Sequence, residues 1–236
     1  MKIALIGYGK MGKEIEQIAI SRGHTIVARL NEGDENPEQI LKDSAPDVAI
    51  EFTIPGAAVK NMKMCFSLNI PIVVGTTGWY DEMKKVISLC TEGNHSLFWA
   101  SNFSVGVNIF FRVNTHLARL MKNHPQYTIS MEEIHHTEKK DAPSGTAITL
   151  AEGILAERKE IKSWINEPSD QLLPIISKRE NQVPGTHSVS YSSPVDEILI
   201  RHTAKNRKGF ALGAVLAAEF LPGKKGVFGM EDLLGF

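Results

Sequence analysis

Residues 3–12, Ile3-Ala4-Leu5-Ile6-Gly7-Tyr8-Gly9-Lys10-Met11-Gly12, decide how the N-terminal half is read. Four consecutive apolar residues predict a strand buried on both faces. Three glycines in the spacing G-x-G-x-x-G follow at once, and a helical pattern, Lys13–Ser21, follows them. In that context the glycines do different things. Gly7 makes the tight turn, Gly9 lets backbone approach a phosphate, and Gly12 allows close helix–strand packing. The helix start beyond the loop favours an anion, so the stretch reads as a dinucleotide cradle.

Working outward, Thr25–Leu30 is a second strand, Pro37–Asp43 a helix and Val48–Thr53 a third strand. A helix opening at Pro55 and ended by Asn69, a strand Ile72–Val74, a helix Asp81–Leu89 and a fifth strand Ser96–Ala100 complete the series. Strands separated by helices predict an α/β domain with a parallel sheet, because each parallel connection needs a crossover. The residue that meets the adenosine ribose belongs at the end of the second strand, where the chain reads Arg29-Leu30-Asn31-Glu32. Asn31 can bond ribose hydroxyls, Glu32 repels a 2′-phosphate and Arg29 attracts one; on balance NADH is favoured over NADPH. A second polar glycine loop, Gly75-Thr76-Thr77-Gly78, is expected along the same edge.

After Asn102 the pattern changes. Val105–Met121 reads as one amphipathic helix with an apolar stripe of Val105, Ile109, Val113, Leu117 and Leu120. A strand Tyr127–Ile134, a helix Ser144–Arg158 and strands at Ile175–Lys178, Ser188–Tyr191 and Glu197–His202 predict a second, mixed α+β domain. The polar, proline-containing stretch Ser163–Leu173 reads as a mobile loop, and Phe210–Leu221 as a helix ending in the turn Pro222–Gly226.

Composition removes several classes of partner. The 236 residues carry 26 Lys+Arg against 27 Asp+Glu, a net charge of −1, which gives no bulk attraction to nucleic acid or acidic membranes. Cys65 and Cys90 cannot build a disulfide framework, and no Cys/His group has zinc-ligand spacing. No apolar run approaches the roughly 18 residues of a membrane span, and the N-terminus has no signal-peptide pattern, so a cytoplasmic protein is expected.

The densest polar chemistry is Glu133-Ile134-His135-His136-Thr137-Glu138-Lys139-Lys140-Asp141-Ala142-Pro143-Ser144-Gly145-Thr146-Ala147. Adjacent strand residues face opposite sides, so the two histidines are expected to have separate roles. One imidazole with a pKa near neutrality suits general acid catalysis; the other suits a charge-assisted hydrogen bond to an anion. Lys139 adds a cation, and Ser144-Gly145-Thr146 at a helix start offers N–H groups to a carboxylate. Glu138 and His116 have no spacing that argues for a metal, so none is expected. On residues alone the chain reads as a reductase of an unspecified carbonyl or imine.

The run Glu133–Ala147 closely resembles the E-x-H-H-x-x-K-x-D-A-P-S-G-T-A signature of the 4-hydroxy-tetrahydrodipicolinate reductases. Gly7–Gly12, Gly75–Gly78, Ala100–Asn108 and Phe210–Ala214 support the resemblance. It implies NADH- or NADPH-dependent reduction of a cyclic imine dicarboxylate with loss of water, in diaminopimelate and lysine biosynthesis. His135 is similar to the family's proton donor, Lys139 to its catalytic partner and His136 to a substrate-binding histidine, with Gly145 and Thr146 as the carboxylate cradle. Cofactor contacts are implied at Gly7, Gly9, Lys10, Met11, Gly75, Thr76, Thr77, Ala100, Ser101, Asn102 and Phe103, while Asn31 stands where an acidic residue is usual. The resemblance further implies a Rossmann-type nucleotide domain of residues 1–103 and 210–236, and a substrate and oligomerisation domain of residues 104–209. Homotetramers paired through the second domain's sheet, with closure over the substrate, are implied too. Another nicotinamide-dependent reductase or dehydrogenase of this fold, or a non-catalytic redox sensor, would share the cradle but not the His-His-Lys run.

Overall fold

The continuous apolar runs become interior strands, and their alternation splits the first core in two. The computed structural model describes residues 1–236 and separates into two compact units, Met1–Val105 with Lys208–Phe236, and Gly106–Arg207. The divisions implied by the resemblance, at 103/104 and 209/210, each differ from these by two residues.

In the first unit, β1 (Lys2–Ile6), β2 (Thr25–Leu30), β3 (Val48–Glu51), β4 (Ile72–Val74) and β5 (Ser96–Trp99) alternate with α1 (Lys10–Ser21), α2 (Pro37–Ser44), α3 (Pro55–Ser67) and α4 (Met83–Glu92). Ala4, Ala49, Ile72 and Leu97 point to one face, under Met62, Phe66 and Val86 of α3 and α4. Ile3, Leu5, Ile50, Val73 and Phe98 point to the other, under Ile15 and Ala19 of α1. Burial on both faces is what a parallel sheet requires of its strands. Cys65 and Cys90 are buried and free, and burial pushes the Cys65 thiol up to about 12, so it packs as an apolar group.

The second unit holds most of α5 (Val105–Leu120), then β6 (Thr128–His135), α6 (Gly145–Glu157), β7 (Trp164–Ile165), β8 (Leu173–Arg179), β9 (Thr186–Ser192) and β10 (Glu197–Thr203). Its sheet has the order β10-β9-β6-β8-β7; β6 pairs antiparallel with β9 and parallel with β8, giving the mixed sheet. Phe110 and Ala118 of α5 and Leu150, Ala151 and Ile154 of α6 pack on Met131, Ile175, Val189 and Tyr191.

The chain then returns to the first unit with α7 (Lys208–Phe220), β11 (Gly226–Phe228) and α8 (Met230–Leu234). Small residues make the return possible: Ala211, Ala214, Ala217 and Ala218 are fully buried, and a Cβ on Gly213 would stand 1.7 Å from the Phe103 carbonyl oxygen. β11 adds a sixth parallel strand beside β5, in the order β11-β5-β4-β3-β1-β2. The strand order reverses between β1 and β3, and the crevice at such a switch point, on the carboxyl edge, is where open α/β sheets bind ligands.

Three sequence expectations need correction. The α5 stripe is misplaced: Ile109, Val113 and Leu120 are 44%, 45% and 58% exposed, while Val107, Phe110, Asn114 and Ala118 are buried. Asn114 is admitted to the interior because its Nδ2 donates to the Leu150 carbonyl at 2.9 Å, a satisfaction no hydropathy pattern displays. Ser163–Leu173 is not loop throughout, since Trp164–Ile165 pairs in parallel with Leu173–Pro174. The turn read over Pro222–Gly226 runs into a strand, Gly226–Phe228, and then a helix, Met230–Leu234, neither of which was read from the sequence. No helix is long and apolar enough to cross a membrane.

Candidate active site

In the first unit, the loops at the carboxyl edge of the sheet converge on the glycine motif. Gly7 leaves β1 with φ +96° and donates its N–H to the Leu30 carbonyl at 2.8 Å. Gly9 caps α1, whose first turn has no acidic residue and no side-chain cap. Two grooves meet here. One, of about 470 Å³, runs from Gly7 and Gly9 past Asn31 and Glu32 to Thr53 and Asn61. The other, of about 490 Å³, is lined by Gly9, Lys10, Met11, Thr53 and Gly75–Thr77. A Cβ on Gly9 would meet no protein atom within 4 Å, so the space against its backbone is open to a ligand. An open cradle at a helix N-terminus, with a groove on each side, fits a dinucleotide whose pyrophosphate sits at the middle.

The floor beneath these grooves is polar and tightly bonded. Glu51, at the end of β3, is fully buried; its Oε1 accepts from Thr53 N–H at 3.2 Å, from the Thr53 hydroxyl and from Asn61 Nδ2 at 3.3 Å. Thr76 Oγ1 accepts a second bond from Thr53 N–H at 2.7 Å. Burial pushes the Glu51 carboxyl above its ordinary range, despite these donors. Asn31 accepts from Tyr8 N–H at 3.0 Å and so ties the end of β2 to the glycine loop. Gly12 is buried with its Cβ position 2.4 Å from the Gly7 carbonyl, the close packing expected of it. Ala100, Ser101, Asn102 and Phe103 follow β5 but do not line either groove; Phe103 is buried and supports the groove residue Phe52 at a ring separation of 5.8 Å.

In the second unit the site is built by strand register. Along β6 the inward positions pass from Ile129 and Met131 to Glu133 and His135, so an apolar face turns polar at its end. Glu133 lies opposite Ser177 of β8 and opposite His187 of β9, and His135 lies opposite Arg179. The Ser177 hydroxyl donates to Glu133 Oε1 at 2.8 Å, and the Ser144 N–H reaches both carboxylate oxygens at 3.1 Å. Ser144 also accepts from Ala147 N–H at 3.2 Å as N-cap of α6 and contacts His187 Nε2 at 3.1 Å. Arg179 stands 3.6 Å from Glu133 and donates to the carbonyls of Lys139 at 3.3 Å and Asp141 at 2.6 Å, holding the loop between β6 and α6. Lys139 pairs with Asp141 at 2.8 Å, and Gly145 and Thr146 open α6.

Burial alone would raise Glu133, but hydrogen bonds from His187, Ser144 and Ser177 outweigh it and hold the carboxyl at about 2. His135 goes the opposite way from the near-neutral imidazole expected. Burial lowers it to about 4; Glu133 pulls it back up, while His187, Lys139 and Arg179 push it down. Its ring is therefore neutral at pH 7, and the standing cations of the site are Lys139 and Arg179. Glu133, His135 and His187 also bring three ligand atoms within 4.8 Å of one another, a set able to hold a metal. Ser144 and Ser177 donate to the same carboxylate, and Arg179 lies beside it.

These shifts make the unit acid-labile. His135 takes up protons more readily when unfolded, so its contribution to stability is complete above about pH 6.5 and is lost as pH falls toward 4, on the order of 2–3 kcal/mol. Glu133, depressed as well, removes more stability between its ordinary 4.5 and about 2. We expect the denaturation midpoint in urea to fall between pH 7 and pH 4.5, and His135→Gln to flatten that slope. An equally steep slope in His135→Gln would reject the account.

Sequence reasoning missed Glu133, Ser177, Arg179 and His187 as site residues, and Phe52, Thr53, Lys60 and Asn61 in the grooves. Glu133 and Thr53 carried a signal, polar residues at the ends of strands; Ser177, Arg179 and His187 became neighbours only through pairing.

A dinucleotide cradle in one unit and a cationic, helix-capped site in the other are what a reductase of an anionic substrate needs. The class is thus a nicotinamide-dinucleotide-dependent oxidoreductase with a Rossmann-type first unit. Residues 1–103 match the family described as dihydrodipicolinate reductase, N-terminus, and residues 106–234 the one described as dihydrodipicolinate reductase, C-terminus. A 4-hydroxy-tetrahydrodipicolinate reductase of Christiangramia forsetii is 50% identical over 235 residues, 99% of this chain and 98% of that protein. One of Methanoregula boonei is 38% identical, over 84% of this chain and 78% of its own. Among solved structures, a dipicolinate-bound dihydrodipicolinate reductase from Paenisporosarcina sp. TG-14 has a TM-score of 0.83 at 24% identity, over 98% of each chain. An amine dehydrogenase from Mycobacterium smegmatis has a TM-score of 0.61 at 11% identity, over 96% of this chain and 94% of its own. At those identities the structural likeness speaks for the fold. The chain belongs to the dihydrodipicolinate reductase family.

Proposed function

We propose that the protein reduces 4-hydroxy-tetrahydrodipicolinate to tetrahydrodipicolinate with loss of water, a step of diaminopimelate and lysine biosynthesis. The observation that carries this reading is the Glu133-centred network, which sets Lys139, Arg179 and the start of α6 around one polar site. Gly145 and Thr146 offer helix-terminal N–H groups to one substrate carboxylate, and His136, just beyond the end of β6, is assigned to the substrate as well. Loss of the 4-hydroxyl with a C3 hydrogen as water leaves a conjugated ring, and the reduced nicotinamide, when bound, would supply a hydride to its C4. His135 is assigned the proton that then goes to C3, with Lys139 as its partner. A neutral imidazole suits that role once a dianion is near, because opposite charge raises its proton affinity while burial keeps the imidazolium a strong acid. Lys139 is close enough for its charge to act on His135.

Cofactor contacts are assigned to Gly7, Gly9, Lys10, Met11, Asn31, Gly75, Thr76 and Thr77, which line the two grooves. Phe103 supports this site from behind Phe52. NADH is the preferred cofactor: Glu32 and Asp34 line the first groove, and Arg29 is held by Glu16. A cytoplasmic homotetramer completes the reading. Its support is β10, an edge strand with Ile198 37% and Leu199 53% exposed, available for pairing with another copy.

The deciding assay follows NADH oxidation with freshly prepared 4-hydroxy-tetrahydrodipicolinate beside a panel of aldehydes and keto acids. Turnover is expected with the dicarboxylate. Turnover confined to the panel overturns the assignment.

A further inference from the structure

Arg29 is the cation nearest the ribose end of the first groove in sequence, two residues before Asn31, yet it does not line that groove. It is occupied elsewhere. Its Nε donates to Glu16 Oε1 at 3.0 Å and its Nη2 bonds the same oxygen, while the guanidinium lies 5.6 Å from the centre of the Tyr8 ring. Tyr8 donates its hydroxyl to Glu16 Oε2, so one carboxylate fixes both the arginine and an aromatic residue that does line the groove. Glu16 sits on α1 with its side chain 11% exposed, and Arg29 retains 44% exposure. The hydrogen bond from Arg29 keeps the Glu16 carboxyl below its ordinary range, so it stays charged and holding at neutral pH.

We infer that Glu16 is a specificity-determining residue: by holding Arg29 against Tyr8 it denies the groove a guanidinium for a 2′-phosphate, and so disfavours NADPH. The chemistry is a competition. A guanidinium can make its charge-assisted, bidentate bonds to a carboxylate or to a phosphate, and here the carboxylate is built into the adjacent helix. Glu32 and Asp34 on the same groove add repulsion, and Lys60 is its one lining cation besides the backbone dipoles. The inference rests on the NADH preference proposed above and explains it by a residue outside the groove.

The test is the ratio of kcat/KM for NADPH to that for NADH in the full-length protein. Glu16→Gln removes the charge at nearly constant volume and is expected to raise the ratio about tenfold or more, the scale of a freed charge-assisted contact. Arg29→Ala in that background should cancel the gain. Arg29→Ala alone should leave the wild-type ratio unaltered, a measurement that stands even where Glu16→Gln folds poorly. An unchanged ratio in folded Glu16→Gln, or a gain that survives Arg29→Ala, overturns the inference. A fall in NADPH use in the single Arg29→Ala variant overturns it too, because Arg29 would then already be on the phosphate. Wild-type preference for NADPH refutes only the cofactor reading if Glu16→Gln still raises the ratio through Arg29.

Discussion

His135→Gln and Lys139→Ala each lower kcat by about 10²–10⁴-fold, the range a positioned proton donor contributes, while the Kd for NADH stays near its wild-type value. The separation follows from the architecture: both residues belong to the second unit, and the dinucleotide cradle to the first. His135 is buried with Nδ1 3.4 Å from Glu133 and no hydrogen-bond partner there, so its protonation is governed by burial first and then by the charges around it. A pH profile distinguishes donation from simple packing. In the free protein His135 titrates at about 4, and a bound dianion raises it; the falling limb of kcat with rising pH should therefore lie above 4 and disappear in His135→Gln. Wild-type kcat in His135→Gln removes it as the donor, and wild-type kcat in Lys139→Ala removes its partner.

The second large effect is on the cofactor side. Gly7→Ala places a Cβ 2.1 Å from the Phe52 carbonyl oxygen and 2.9 Å from Thr53 Cγ2, at a residue whose φ of +96° already disfavours any side chain. Backbone cannot yield there without displacing Phe52 and Thr53, which line both grooves. Strain and overpacking each cost about 1–3 kcal/mol, so NADH affinity should fall about 100-fold or more, with a lowered Tm. Calorimetric titration with NADH checks it, and an unaltered Kd would mean the loop is not the pyrophosphate cradle. The contrast is Gly9, where a Cβ meets nothing in the protein and any loss must come from a clash with the ligand itself.

How much of this was legible in the sequence depended on whether the information was local. The Ile3–Gly12 stretch carried strand, turn and helix in ten residues, and β2 and β4 stand where the pattern put them. The helix read from Ser144 likewise begins there, since its N-cap is a contact across only three residues. The stripe of α5 failed because its interior face contains Asn114, satisfied by a carbonyl of another helix, and because Ile109 and Val113 face outward. β11 escaped notice because three residues bounded by glycines make a strand only when an edge such as β5 is there to receive them.

The candidate site divides along the same line. Order along the chain alone determined the parallel nucleotide sheet, the glycine cradle, and the His-His-Lys run ahead of a helix start, because periodicity, turn chemistry and motif spacing act over short stretches of backbone. Only the tertiary structure decided that Glu133 is the centre of the second site, since Ser177 and His187 reach it through the register of strands on either side. It also decided that His135 is neutral and that Arg29 is engaged by Glu16. Charge state and cation availability are set by burial and by partners brought from other elements, which residue type and spacing do not encode.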